Sequence, residues 1–191
     1  MNESINTKEQ LRKSYRALRN DFSEEYIKNA SAIACELLAS TNEFKHAKTI
    51  LLYYPIKNEI SPLSILEIAL RQGKSIAFPV CNKNDLNLIF KKVDSIADLR
   101  ESTFGILEPK EGCEKIFPDK NTFCIVPAIA FSKDGHRLGY GMGYYDQFLE
   151  NFEGKTAGLS YSKLLFDALP QDPHDIPLNM IITESEVLYI A

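Results

Sequence analysis

Apolar residues run almost without interruption at Ile50-Leu51-Leu52-Tyr53-Tyr54, Ile76-Ala77-Phe78 and Phe123-Cys124-Ile125-Val126. Runs this short predict strands, and continuous rather than alternating apolarity predicts strands covered on both faces. The expected spans are Thr49 to Tyr54, Ser75 to Pro79, Phe123 to Pro127, Lys155 to Ser160 and Met180 to Thr183. Leu86 to Lys91 alternates, so a more exposed strand near an edge is expected there. Helical spacing fills the intervals. Thr7 reads as the cap of a helix from Lys8 to Arg19, after a frayed tail at residues 1–6. Ser23 starts a second helix, with Ile27, Ala30, Ala34, Leu37 and Leu38 on one face. Ser61-Pro62 opens a third and Gly73 closes it. Ser95 to Arg100 is a short helical stretch, and Gly143 to Phe152 is helical in character. Phe104 to Lys120 is the least regular segment and reads as a surface loop. Strands and helices thus alternate. That order predicts right-handed crossovers and one α/β domain over residues 1–191, with a mostly parallel sheet between helical layers. Sites in such sheets form outside the carboxyl ends of the strands.

Composition narrows the class. Of 191 residues, 45% are hydrophobic and 25% charged, which excludes collagen-like and mainly disordered chains. No apolar run approaches the roughly 18–20 residues of a membrane helix, and Met1 to Asn6 has no secretory apolar core. The 22 basic and 26 acidic residues leave a net charge of −4, which argues against non-specific nucleic-acid binding. Cys35, Cys81, Cys113 and Cys124 form no CxxC pair and no zinc spacing, so reduced thiols in a cytoplasmic protein are expected.

Chemistry concentrates in one loop. Gly135, Gly139, Gly141 and Gly143 follow a buried strand and precede a helix. Glycines there let backbone N–H groups approach an anion, and the helix start adds a favourable dipole. Arg137 supplies a planar fork for phosphate or carboxylate. The spacing is neither the dinucleotide GxGxxG nor a Walker A loop. Tyr144 and Tyr145 are either core aromatics or rings that stack on a flat ligand. Asp146 either complements the helix dipole or holds a divalent metal beside phosphates. Lys8, Arg12, Arg16 and Arg19 share one face of the first helix, which is either solvated or directed at a triphosphate. Glu59 follows the first buried strand. His136 next to Arg137 is weak evidence for a general base, and His174-Asp175 sits in a proline-rich loop. Spacing identifies no nucleophilic triad.

The run Arg137-Leu138-Gly139-Tyr140-Gly141-Met142-Gly143-Tyr144-Tyr145-Asp146 resembles the signature of the 5-formyltetrahydrofolate cyclo-ligase family. Further blocks extend the resemblance over nearly the whole chain. They are Lys8 to Arg12, Tyr54-Pro55 with Asn58-Glu59-Ile60, Phe104 to Pro109, Val126 to Phe131, and Leu169-Pro170 with His174-Asp175. Departures from the family pattern are Ser132, Gln147 and Asn179, the last near the metal-binding block.

The resemblance implies a three-layer α/β/α sandwich like ribose-5-phosphate isomerase and CoA-transferase domains. It also implies an ATP- and magnesium-dependent ligase that cyclises 5-formyltetrahydrofolate to 5,10-methenyltetrahydrofolate, releasing ADP and phosphate after phosphorylation of the formyl oxygen. Lys8, Arg12 and residues 137–145 would bind ATP, with Arg137 and Tyr144 catalytic. Tyr54, Glu59 and residues 140–144 would border the folate, with Tyr144 and Phe131 excluding water. Asp146 and Asp175 would bind Mg2+. The expected partners are these small molecules only, with no nucleic acid or membrane, and the expected state is a monomer. The rivals are an ATP-independent enzyme on the same architecture and a relative that binds without turnover.

Overall fold

The computed structural model describes residues 2–81, 87–102 and 105–190. Its first face is built from four helices, α1 (Asn2–Asn20), α2 (Glu24–Ser40), α3 (Asn42–His46) and α4 (Leu63–Arg71). Strands β1 (Thr49–Leu51), β2 (Ser75–Cys81) and β3 (Leu88–Lys92) follow in the first half. Next come β4 (Leu99–Glu101), β5 (Leu107–Pro109), β6 (Lys115–Ile116) and β7 (Thr122–Val126). The glycine loop lies between a hairpin, β8 (Ala130–Ser132) and β9 (Arg137–Leu138), and helix α5 (Tyr144–Leu149). The chain ends through β10 (Lys155–Leu159), β11 (Leu165–Phe166), β12 (Met180–Ile182) and β13 (Val187–Tyr189).

Eight strands form the central sheet in the order β13-β12-β10-β7-β1-β2-β3-β6. The pairings from β12 through β2 are parallel, while β13, β3 and β6 are added antiparallel. The uninterrupted apolar runs are explained by their two faces. Ile50, Ile76, Phe78, Phe123 and Ile125 pack into one core beneath α2–α4. Their neighbours Leu51, Ala77, Cys124 and Val126 pack into a second core with Leu149 of α5. Because strand side chains alternate, a strand covered on both sides is apolar at every position.

Local signals set the helix ends. Ser23 accepts a hydrogen bond from the Tyr26 amide and Thr41 one from the Phe44 amide, satisfying donors that the first turn leaves free. Gly73 closes α4 at φ 72°, a conformation glycine adopts without steric penalty.

Several expectations are revised. Helix α1 begins at Asn2, so the stretch read as a tail is helical and Thr7 lies inside the helix rather than at its cap. Strand β1 ends at Leu51, and Leu52, Tyr53 and Tyr54 continue as half-buried or buried coil toward Pro55. The stretch after Ser95 is a single 3-10 turn, Ile96–Asp98, closed by a capping box, and it passes directly into β4. The segment read as a loop contains β5 and β6. The strand expected to start at Leu86 begins at Leu88 in the structure; Leu86 itself, like Phe104 of the family block, lies outside the described residues. The edge next to it is β6, so β3 is the penultimate strand. All four cysteines are free.

One close approach holds the second layer down. At Gly158 in β10 the Phe131 ring occupies the space a Cβ would need. Gly158→Ala therefore overpacks a site with no slack. The expected cost is about 1–3 kcal/mol of stability, read from urea unfolding against the wild type.

Candidate active site

The carboxyl ends of β1, β2 and β7 open onto one cavity of about 500 Å3, within the size range of small-molecule sites. Every residue expected to bind ATP, folate or metal lines it. Lys8 and Arg12 come from α1, Tyr54 and Glu59 from the chain after β1, residues 137–146 from the glycine loop and its flanks, and Asp175 from the late proline-rich loop. The remaining wall includes Pro79, Cys81, Leu88, Ile106, Leu107 and Glu108. No periodicity marks these residues as a group. The pairing of β2 with β3 and of β4 with β5 assembles them.

The loop has the backbone its glycines predict. Gly141 and Gly143 sit at φ 95° and 74°, where a Cβ is strained. A Cβ on Gly141 would also lie 3.4 Å from the Arg12 guanidinium carbon. Helix α5, however, has only six residues. Its dipole is correspondingly small, so side-chain cations and loop amides carry more of the anion field.

The basic face of α1 is not solvated, because all four cations are engaged. Lys8 Nζ lies 2.6 Å from both Asp172 Oδ2 and Asp175 Oδ2. Arg12 Nε donates to the Gly139 carbonyl at 2.8 Å. The Arg16 guanidinium stands 5.2 Å above the Tyr140 ring centre. Arg19, 2% exposed, donates to the Tyr140 hydroxyl at 2.8 Å and to the Ala128 carbonyl at 3.3 Å. Glycine loop and helix therefore form one unit.

Arg137 spans two other segments. One arm donates to the Ile176 carbonyl at 2.8 Å, and the other pairs with the Asp146 carboxylate. Asp146 thus answers a buried cation, a third reading beside the dipole and the metal. Glu59 is buried. It accepts from the Tyr140 hydroxyl and from the Ile56 amide at 2.9 Å, with Arg19 3.9 Å away. Burial raises its pKa, against the lowering effect of Tyr140, Ile56 and Arg19. Tyr144 and Met142 are on the cavity rim, Met142 being exposed. Tyr145 packs into the second core and its hydroxyl is buried, which makes it more a floor than a stacking platform. Phe131 is 1% exposed and absent from the cavity lining, so it excludes water only as core beneath the site. His136 also stands outside the lining, 3.3 Å from Asp134. Burial and Glu108 push the Cys81 thiol up to about 11, leaving it protonated at neutral pH and unsuited as a nucleophile. Asn179 binds Thr156 through its amide oxygen at 2.9 and 3.2 Å. It ties β10 to the start of β12 and does not support the metal block.

Divalent-cation chemistry fits one end of the cavity. Asp172, His174 and Asp175 place ligand atoms within 4.8 Å of one another, and carboxylate oxygens suit a hard ion. The field there already holds a cation, since the Lys8 ammonium bridges both carboxylates. Burial disfavours charged Lys8, but hydrogen bonds and charges from Asp172 and Asp175 outweigh it and raise its pKa. Burial likewise opposes Asp175 ionisation, yet Lys8 and the Asp172 amide hold its pKa below the usual value. A carboxylate depressed in the folded state adds stability above its unfolded pKa and loses it as pH falls through the folded one. The stability gap between wild type and Asp175→Asn is therefore expected to be constant through neutral pH. It should shrink below about pH 4, as read from urea midpoints across a pH series.

Proteins similar to this chain are known. The model of the 5-formyltetrahydrofolate cyclo-ligase family matches residues 4–184. The 5-formyltetrahydrofolate cyclo-ligase of Haemophilus influenzae is 28% identical over 90% of this chain and 94% of its own. That of Escherichia coli K12 is 30% identical over 74% of this chain and 80% of its own. The NMR structure of Aquifex aeolicus 5,10-methenyltetrahydrofolate synthetase superposes with a TM-score of 0.82 at 36% identity, covering 96% of this chain and 92% of that one. The corresponding Mycoplasma pneumoniae synthetase gives 0.75 at 26% identity, covering 93% and 98%. A family-model match over residues 4–184 means that the chain belongs to the 5-formyltetrahydrofolate cyclo-ligase family.

Proposed function

We propose that this protein uses ATP and Mg2+ to cyclise 5-formyltetrahydrofolate to 5,10-methenyltetrahydrofolate, releasing ADP and phosphate. The observation that carries the proposal is the single cavity whose lining brings together Lys8, Arg12, Arg137, the glycine loop and the buried Glu59. The formyl oxygen is a poor leaving group. Transfer of the γ-phosphoryl group to it makes it a good one, after which the neighbouring amine attacks the formyl carbon, the ring closes and phosphate departs. Phosphoryl transfer depends chiefly on positioning and charge neutralisation, and no protein nucleophile is needed.

Each residue has a role on this reading. Lys8, Arg12, Arg137 and the backbone of residues 138–145 neutralise and orient the triphosphate. Asp175 and Asp146 would hold the magnesium ion, with Asp172 beside Asp175. The ion would offset phosphate charge as the γ-group transfers. For it to enter, Lys8 must swing from the two carboxylates toward phosphate, and Arg137 must share Asp146. Glu59 receives N–H donors of the pterin ring. Tyr54 and the loop at residues 140–144 frame that ring, and Tyr144 covers the reacting atoms together with Arg137. The site is complete within one chain, which supports a single-domain monomer. Four free thiols support the cytoplasm. Separately, no helix among the described residues is long and apolar enough to cross a membrane. The net charge of −4 supports small-molecule rather than nucleic-acid partners.

The test mixes protein, 5-formyltetrahydrofolate, Mg2+ and ATP and follows the near-ultraviolet absorbance of the methenyl product. Product is expected with ATP and none without it; no product in either arm removes the proposal. Lys8→Ala should raise the ATP KM about tenfold with a smaller change in the folate KM. Arg137→Ala should cut turnover by about 100-fold or more. It should also cost about 1–3 kcal/mol, because the Ile176 carbonyl and Asp146 lose a buried partner.

A further inference from the structure

The mechanism above leaves Arg19 unused, although it is among the largest fully buried side chains of the protein. A guanidinium has only donors; its two terminal nitrogens find acceptors, while the buried Nε has none. Here the acceptors are functional. The Tyr140 hydroxyl accepts from Arg19 at 2.8 Å and donates its single proton to Glu59. The Ala128 carbonyl accepts at 3.3 Å from just after β7, and Glu59 itself lies 3.9 Å away. An arginine cannot accept, so its contact dictates which way the phenol proton points. Glu59 then has Oε1 engaged by Tyr140 and Oε2 by the Ile56 amide. Each oxygen keeps a further lone pair, and Glu59 lines the cavity.

The surroundings of Glu59 make Arg19 its charge partner. Tyr53 approaches from the end of β1, Tyr140 from the glycine loop, Tyr145 from α5 and Tyr161 from the end of β10. Burial keeps all four phenols neutral well above pH 7. Among the charged groups that influence Glu59, Arg19 favours the ionised carboxylate while burial opposes it. Arg19 also stands on the helix that carries Lys8 and Arg12, which line the same cavity.

We propose that Arg19 is a positioning residue for the folate side of the site. It fixes the direction of the Tyr140–Glu59 hydrogen bond, holds Glu59 as a carboxylate aimed at the ring donors of the substrate, and joins that carboxylate through α1 to the phosphate-binding cations. The inference rests on the proposed cyclo-ligase activity and assigns a determinant of its folate affinity.

The test compares wild type, Arg19→Met, Arg19→Lys and Tyr140→Phe. For each, 5-formyltetrahydrofolate binding is measured by calorimetry, and kcat and both KM values are measured between pH 5.5 and 9. Arg19→Met is expected to weaken folate binding and raise the folate KM about tenfold, with the ATP KM changed far less. The acid limb of kcat/KM for folate should move up by about one pH unit, because Glu59 loses the cation that favours its charged form. Arg19→Lys should recover part of both effects. Tyr140→Phe, which removes only the hydroxyl, should shift the acid limb in the same direction. A folded Arg19→Met protein with folate affinity and acid limb unmoved overturns the inference, as does one whose kcat falls with neither KM nor pH profile altered. If Arg19→Met does not fold, Tyr140→Phe decides, and an unmoved acid limb there overturns it. A wild type that neither binds the folate nor forms product overturns the proposed function and this inference with it, an outcome distinct from failure in the variants alone.

Discussion

A row of cations on one helix, each answered by a partner from elsewhere in the chain, is the constraint on which the site depends. Lys8 reaches the late loop, Arg12 and Arg16 the glycine loop, and Arg19 the junction of Tyr140, Ala128 and Glu59. Except for Glu59, these partners lie more than a hundred residues further along the chain. Such contacts add little when exposed to water. Buried ones are strongly punishing when only one member is removed. The helix is therefore held in one rotational setting about its axis. Its apolar side, with Leu11 and Tyr15 on the first core, enforces the same setting from the other direction.

The same device appears at Arg137, whose fork ties the start of the glycine loop to Asp146 beyond it and to the backbone at Ile176. Cation and loop geometry are coupled here. Glycines let the backbone approach a ligand, but they also leave it many alternatives. Arg12 at the Gly139 carbonyl and Arg137 at the loop's flank select among those alternatives before any ligand arrives. That preorganisation is what phosphoryl transfer requires of its scaffold.

Much of this was legible in the order of residues. The uninterrupted apolar runs announced a sheet covered on both faces, and alternation with helices announced its mostly parallel pairing. The glycine–tyrosine–aspartate run and the blocks around Lys8, Glu59 and Asp175 named residues that do share one cavity. What was not legible depends on pairing across distance. The 2-residue strands β6, β9 and β11 are too short for any period to register. The cavity wall of Leu88, Ile106 and Leu107 is apolar in the way any core is apolar, and only the antiparallel pairing of β3 onto β2 and of β4 with β5 brings it to the site. The helical spacing of Lys8, Arg12, Arg16 and Arg19 placed them on one face correctly. It carried no information on whether that face met water or protein, because the partners lie in distant segments. Phe131 was assigned to the site by its family block, but the absence of a side chain at Gly158 draws its ring into the core instead.

The ends of the central sheet carry a consequence of their own. One rim is β6, two residues long and bearing Lys115; the other is β13, three residues long. Neither offers a stranger's extended backbone more than a brief row of free amides and carbonyls, and a lysine interrupts one of them. An eight-stranded sheet that ended on long, flat, apolar margins would recruit its neighbours into fibrils. This one tapers at both borders, so neither margin is a long template for pairing edge to edge.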